Sequence, residues 1–133
     1  MTRVKLLACM ALILIITSTV EAAPTKQDLA AVSRVFDDNA ADDLAALKMC
    51  GKPELYYQYL NSMSDAGALY PQRDPQKMRA LIRQIQRRGD SLASMRTRFN
   101  ESSKQDVIDE DCKFDTGQAL KHLKILDDFI FKS

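Results

Sequence analysis

From Thr25 to the end of the chain, apolar residues recur at intervals of three and four, and glycine or proline interrupts the pattern in only a few places. That spacing commits the chain to amphipathic helices, because one face of a 3.6-residue turn is apolar and the other is not. Leu29, Val32, Phe36, Ala40, Leu44 and Leu47 form the first stripe, preceded by Thr25 with Asp28 three residues on, a hydroxyl cap with its returning acid. The stripe stops at Cys50-Gly51-Lys52-Pro53, where glycine supplies a left-handed stop and proline forbids continuation. Asp37-Asp38-Asn39 inside it are able to break the helix, with Asn39 recapping a second piece; the continuing apolar phase favours one helix.

Pro53-Glu54 reads as a first helical turn, after which Leu55, Tyr56, Tyr59, Leu60, Met63, Ala66 and Tyr70 hold one face until Pro71. Asp74-Pro75 repeats the start signal, and Met78, Ile85, Leu92 and Phe99 follow at sevens, with Leu81 and Met95 filling the seam. A polar linker over 101–114, containing Cys112, is expected next. Asp115 and Thr116 then cap a last helix carrying Ala119, Leu120, Leu123, Leu126 and Ile130, its apolar face widened by Phe129 and Phe131. Strand-like alternation is scarce. The expected fold is all-α, an up-down antiparallel four-helix bundle with one disulfide, since the short connections at 51–53 and 71–74 force the first three helices to alternate in direction.

The first residues, Met1-Thr2-Arg3-Val4-Lys5, carry two positive charges before an apolar run from Leu6 to Ile16, followed by Thr17-Ser18-Thr19 and Val20-Glu21-Ala22-Ala23. This is the layout of a secretory signal peptide over residues 1–22, cut after Ala22 with Ala23 nearly as suitable, leaving a single helical domain over 23–133. The run is shorter than the ~20 residues that span a bilayer. A secreted, extracellular chain without membrane insertion is the expectation. Cleavage removes Cys9 and leaves Cys50 and Cys112 in an oxidising compartment, where an even pair most simply forms one disulfide. Closing the loop from 50 to 112 is worth about 4 kcal/mol on the chain-entropy estimate. The bridge would pin the end of the first helix near the start of the last, at the same end of an up-down bundle.

Charge is unevenly divided. Residues 24–71 sum to −3, residues 72–104 to +6 and residues 105–133 to −3. The cancellation to zero argues against a general nucleic-acid binder, which needs a net cationic field to displace phosphate counterions. The third helix holds the excess of bases, and acidic neighbours are expected to account for much of it. Arg79, Arg83 and Arg87 climb that helix at intervals of four, a stripe joined by Arg73 and Lys77 near one end and followed by Arg88. Such a stripe is a candidate binding surface for sulfated glycans or an acidic receptor face; a solvated helix face is the plain alternative.

Three short motifs overlap this region. Asn100-Glu101-Ser102 is an N-glycosylation sequon, placing Asn100 among the candidate modification sites. Arg88-Gly89-Asp90 resembles the tripeptide by which extracellular ligands dock to integrins; that docking needs a loop, which Gly89 supplies only if Asp90 and Ser91 recap a broken helix. Arg87-Arg88 resembles a dibasic processing site, whose use would leave two chains joined by the disulfide.

Enzymatic chemistry has little to rest on. The chain has one histidine, His122, on the edge of the last apolar stripe, and no Gly-x-Ser-x-Gly or glycine-rich phosphate loop. Metal and cofactor sites are not expected: Asp37-Asp38 and Asp42-Asp43 lack the glycine and terminal glutamate of an EF-hand loop. The expected function is a non-enzymatic secreted ligand, hormone- or cytokine-like, that binds a receptor or cell-surface partner; the architecture resembles helical cytokines in outline only. The alternatives are an extracellular carrier of a small apolar ligand or lipid, built around Tyr56, Tyr59, Met63, Met78 and Met95, or a venom, salivary or matrix component.

Overall fold

The computed structural model describes residues 23–71 and 73–133, so the expected signal peptide lies outside the described residues. The chain folds as an all-α bundle of four rods fastened by one disulfide. The first rod is α1 (Lys26–Arg34), a π-helical turn (Val35–Asn39) and α2 (Ala40–Met49); the others are α3 (Pro53–Leu69), α4 (Pro75–Asn100) and α5 (Gln105–Lys132).

The caps follow from the residues that provide them. The Thr25 hydroxyl accepts from the Asp28 amide at 3.2 Å, and the Asp28 carboxylate accepts from the Thr25 amide at 2.8 Å. At the end of α2, Gly51 adopts φ 64°. The amides of Gly51 and Lys52 then reach back to the carbonyls of Lys48 and Leu47, at 3.3 and 2.9 Å, so two of the last turn's orphan acceptors are satisfied. Asp74 caps α4 through the Gln76 amide at 2.8 Å, with Pro75 at the first helical position.

Both choices left open inside the first rod are settled by one feature. The rod neither breaks at Asn39 nor stays regular; it widens into a π turn. Val32, Phe36, Ala40 and Leu44 stand four residues apart, and each step of four overshoots a 3.6-residue turn by about 40°. A wider turn absorbs the overshoot, and all four residues stay in the core.

Chain direction alternates from rod to rod. Lys132 meets Asp28 at one end of the bundle, His122 meets Asp43 in the middle, and Cys112 meets Cys50 at the other end, so α5 runs antiparallel to the first rod. Tyr56 with Asp90 at one end and Gly67 against Met78 at the other set α3 antiparallel to α4. The shared core takes Val32, Phe36 and Leu44 from the first rod, Tyr59 and Met63 from α3, Met78 and Ile85 from α4, and Leu123, Leu126 and Phe129 from α5.

Two expectations need correction. The linker over 101–114 is only the segment 101–104: α5 begins at Gln105, Cys112 lies inside it, and Asp115 and Thr116 are interior rather than capping. Its first half is polar on most sides, so periodicity does not reveal it. That half is helical because acids at its N-terminal end, Asp106 foremost, suit the helix dipole, and Gln105 bonds Asp109 one turn on at 2.8 Å. The seam expected on α4 also fades toward its C-terminus. Met78 and Ile85 are buried, Leu92 is half-buried, and Met95 and Phe99 are exposed at 49% and 73%.

Candidate functional site

The outer face of α4 takes shape from its inner one. Met78, Ile82, Ile85, Gly89 and Ala93 are buried, which leaves Arg79, Arg83 and Arg87 on the solvent side, about 6 Å apart per step of four along the axis. All three are exposed, and none joins an ion pair among the described residues. The expected neutralisation by acidic neighbours does not occur along this stripe. Among the described residues, Arg96 alone of the helix's arginines meets a carboxylate, Asp42, at 3.3 Å. Asp28 and Asp128 are held by Lys132 and Lys124 elsewhere. Arg88 is exposed too, but lies about 100° around the helix from Arg87, off the stripe. Arg73 stacks over the Tyr70 ring at 5.0 Å.

Beside the stripe runs a shallow groove of about 250 Å³ between α3 and α4. Leu60 and Ile82 lie along it, Asn61 and Ser64 contribute uncharged polar groups from α3, and Arg79, Arg83 and Gln86 line the α4 side.

The integrin-like tripeptide sits in unbroken helix. Gly89 is buried against α2: a Cβ there would stand 3.0 Å from the Ala41 carbonyl oxygen and from Leu44 Cβ. Asp90 is occupied, accepting from the Tyr56 hydroxyl at 2.8 Å and pairing with Lys48 at 3.2 Å. Burial first, and then the bond to Asp90, push the Tyr56 hydroxyl up to about 12. Glycine here serves close helix approach, and no loop presents the tripeptide. Arg87-Arg88 likewise lies mid-helix. Asn100, the last residue of α4, is half-buried and opens onto a turn in which the Ser103 amide bonds the Asn100 carbonyl at 3.0 Å.

Sequence reasoning missed a polar cluster at the centre of the bundle. The Tyr59 hydroxyl donates to Asp43 Oδ2 at 2.6 Å, and His122 Nδ1 lies 2.7 Å from the same oxygen. Asp43 is 5% exposed and Tyr59 fully buried. Burial raises the Asp43 carboxyl above its ordinary value, opposed in part by its bonds from Tyr59 and His122, and burial beside that carboxylate pushes the Tyr59 hydroxyl far up. The cluster ties the first rod to α3 and α5. A cleft of about 210 Å³ opens over His122 and Asp43, bounded by Asp38, Asp42, Arg96 and Gln118, with no serine, threonine or cysteine on its wall. The signal was present in part: Asp43 falls one residue before Leu44 on the buried side of α2, but pairing across 79 residues leaves no local trace.

Cys50 and Cys112 are bridged, with Cα atoms 5.6 Å apart. A cleft of about 570 Å³ adjoins the bridge, with Met49, Ile108 and Leu120 beside Lys52, Gln105 and Lys113 on its walls. Of the residues considered for a carrier's cavity, Tyr56, Tyr59, Met63 and Met78 are buried in the close-packed core and Met95 is exposed. None of them lines this cleft. Among the described residues no group of three or more potential ligands is placed to hold a metal, and no helix is long and apolar enough to cross a membrane. No known protein family matches the chain, and no characterised protein or solved structure shows significant similarity to it.

Proposed function

We propose that this chain is a secreted, non-enzymatic helical ligand that acts by presenting the outer face of α4 to a receptor or cell-surface partner. One observation carries the reading: Arg79, Arg83 and Arg87 stand exposed on one stripe with no carboxylate partner among the described ion pairs, while the opposite face of the same helix is committed to the core. Guanidinium groups left without partners on a rigid element are preorganised for an acidic one. The disulfide and the leader-like residues 1–22 support an extracellular setting.

The test is the triple substitution Arg79→Gln, Arg83→Gln, Arg87→Gln. The fold should be kept, because exposed charges contribute little to stability, and binding of the labelled protein to cells should fall in a salt-dependent way. Full cell binding by a folded triple variant rejects the surface. The carrier reading would then rest on the cleft beside the disulfide, where Met49, Ile108 and Leu120 offer apolar wall and the Thr116 hydroxyl oxygen is buried without a partner.

A further inference from the structure

We infer that the partner of this face is a linear sulfated polysaccharide, lying in the groove between α3 and α4 with its sulfates on Arg79 and Arg83, which line the groove, and on Arg87, exposed one turn beyond it. The inference rests on the reading of α4 as the working surface and adds the chemical class of what binds there.

Charge is the first argument. Each guanidinium offers a planar fork of N–H donors that matches two oxygens of a sulfate, and such charge-assisted pairs are stronger than neutral ones. The arginines span two steps of four residues, about 12 Å of helix axis. A single small anion engages one or two of them; a polymer with anionic groups repeated along its length engages all three. The second argument is the uncharged wall. Asn61 and Ser64 on α3 and Gln86 on α4 bring amide and hydroxyl groups to the same groove and no carboxylate among the described residues lines it, so a sugar's hydroxyls find donors and acceptors between the sulfates.

The lack of an anchor separates a polysaccharide from a protein. Protein interfaces draw most of their energy from large apolar or aromatic anchors driven into desolvated pockets. No large apolar side chain that is strongly exposed lines this groove. Leu60 is half-buried and Ile82 buried; Tyr57, 62% exposed on α3 one turn before Asn61, is not among the residues lining the groove, and Met95, Phe99, Phe114 and Phe131 protrude from other parts of the surface. The groove offers charge and hydrogen bonding without an anchor, which suits a hydrated polymer. For nucleic acid, the other linear polyanion, no aromatic ring is among the described residues lining the groove on which unpaired bases could stack.

The experiment uses the full secreted chain, immobilised heparin, chemically desulfated heparin and single-stranded DNA, together with cells before and after combined heparinase and chondroitinase treatment. Wild type should bind heparin and be eluted by salt, and should bind desulfated heparin and DNA at least tenfold more weakly. The folded triple glutamine variant should lose about tenfold or more in heparin affinity at physiological salt, as expected for three exposed ion pairs lost together. Arg88→Gln, a change on the same helix but off both the stripe and the groove, should bind like wild type. If the triple variant fails its circular-dichroism check, Arg83→Gln alone is read the same way, with a smaller loss expected. Arginine-dependent cell binding that survives both heparinase and chondroitinase overturns the polysaccharide while leaving the α4 surface standing; arginine-independent cell binding removes both. Equal affinity for DNA and heparin, or for heparin and its desulfated form, also overturns the inference.

Discussion

Asp43 Oδ2 accepts from the Tyr59 hydroxyl and lies 2.7 Å from His122 Nδ1 while the residue is only 5% exposed, and the fold bears the cost of its charge. Its folded-state value is raised above 3.8, so the stability this group contributes is complete below that ordinary value and is lost as pH rises through the raised one. Asp43→Asn keeps the shape and an acceptor for Tyr59 but has nothing to ionise. Thermal denaturation of the variant and the parent, compared from about pH 3 to about pH 6, should therefore shift in favour of the variant as pH rises. A difference that is flat across this range, or shifts the other way, rejects the burial-dominated account of Asp43. Gly89 poses a question of sign. In an exposed helix, Gly→Ala gains up to about 1 kcal/mol of propensity. At Gly89 the added methyl meets the Ala41 carbonyl and Leu44 Cβ at 3.0 Å, and overpacking against backbone costs about 1–3 kcal/mol. The contact should win, so urea denaturation of Gly89→Ala should show a lower midpoint; a rise would mean that α2 and α4 yield easily.

At the scale of elements, what is legible in the sequence tracks how much of each helix touches the core. The start of α1 at Thr25, the stop at Gly51 and the start of α4 at Asp74 are all marked by residues whose side chains or backbone perform the capping themselves. The stripes through Val32, Met63 and Leu126 give the rods their inner faces. The first half of α5 is not legible, because between Gln105 and Gln118 no large apolar side chain is fully buried and a polar helix on the surface has the same composition as a linker. Of the candidate site, the spacing of Arg79, Arg83 and Arg87 is visible at once from intervals of four. Their freedom from acidic partners is not, since a net charge summed over neighbouring segments says nothing of which way Asp28, Asp42 or Asp128 points. The π turn lies between these cases: the run of fours through Val32, Phe36, Ala40 and Leu44 contains it, but the same run also describes a regular helix with a drifting face.

For the molecule as a whole, the bridge between Cys50 and Cys112 closes a loop of 62 residues, and its removal should cost about 4 kcal/mol by loop-closure entropy. The paired change Cys50→Ser with Cys112→Ser should lower the thermal midpoint markedly and leave the helical spectrum largely intact below it. Mass spectrometry of secreted material should find the two peptides linked within one monomer, and free thiols at both positions would overturn the assignment. The bridge also makes the molecule a lasso under tension. A pull applied at residues 25 and 133 runs from the first rod straight across the sulfur pair into the second half of α5, and α3 and α4 are bypassed entirely. The oxidised chain should therefore lengthen to roughly 160 Å in an optical trap, against roughly 380 Å after reduction, at about 3.5 Å per extended residue. The stretch that carries Arg79, Arg83 and Arg87 thus stays slack within the loop, shielded by two sulfur atoms from whatever force is borne by the ends.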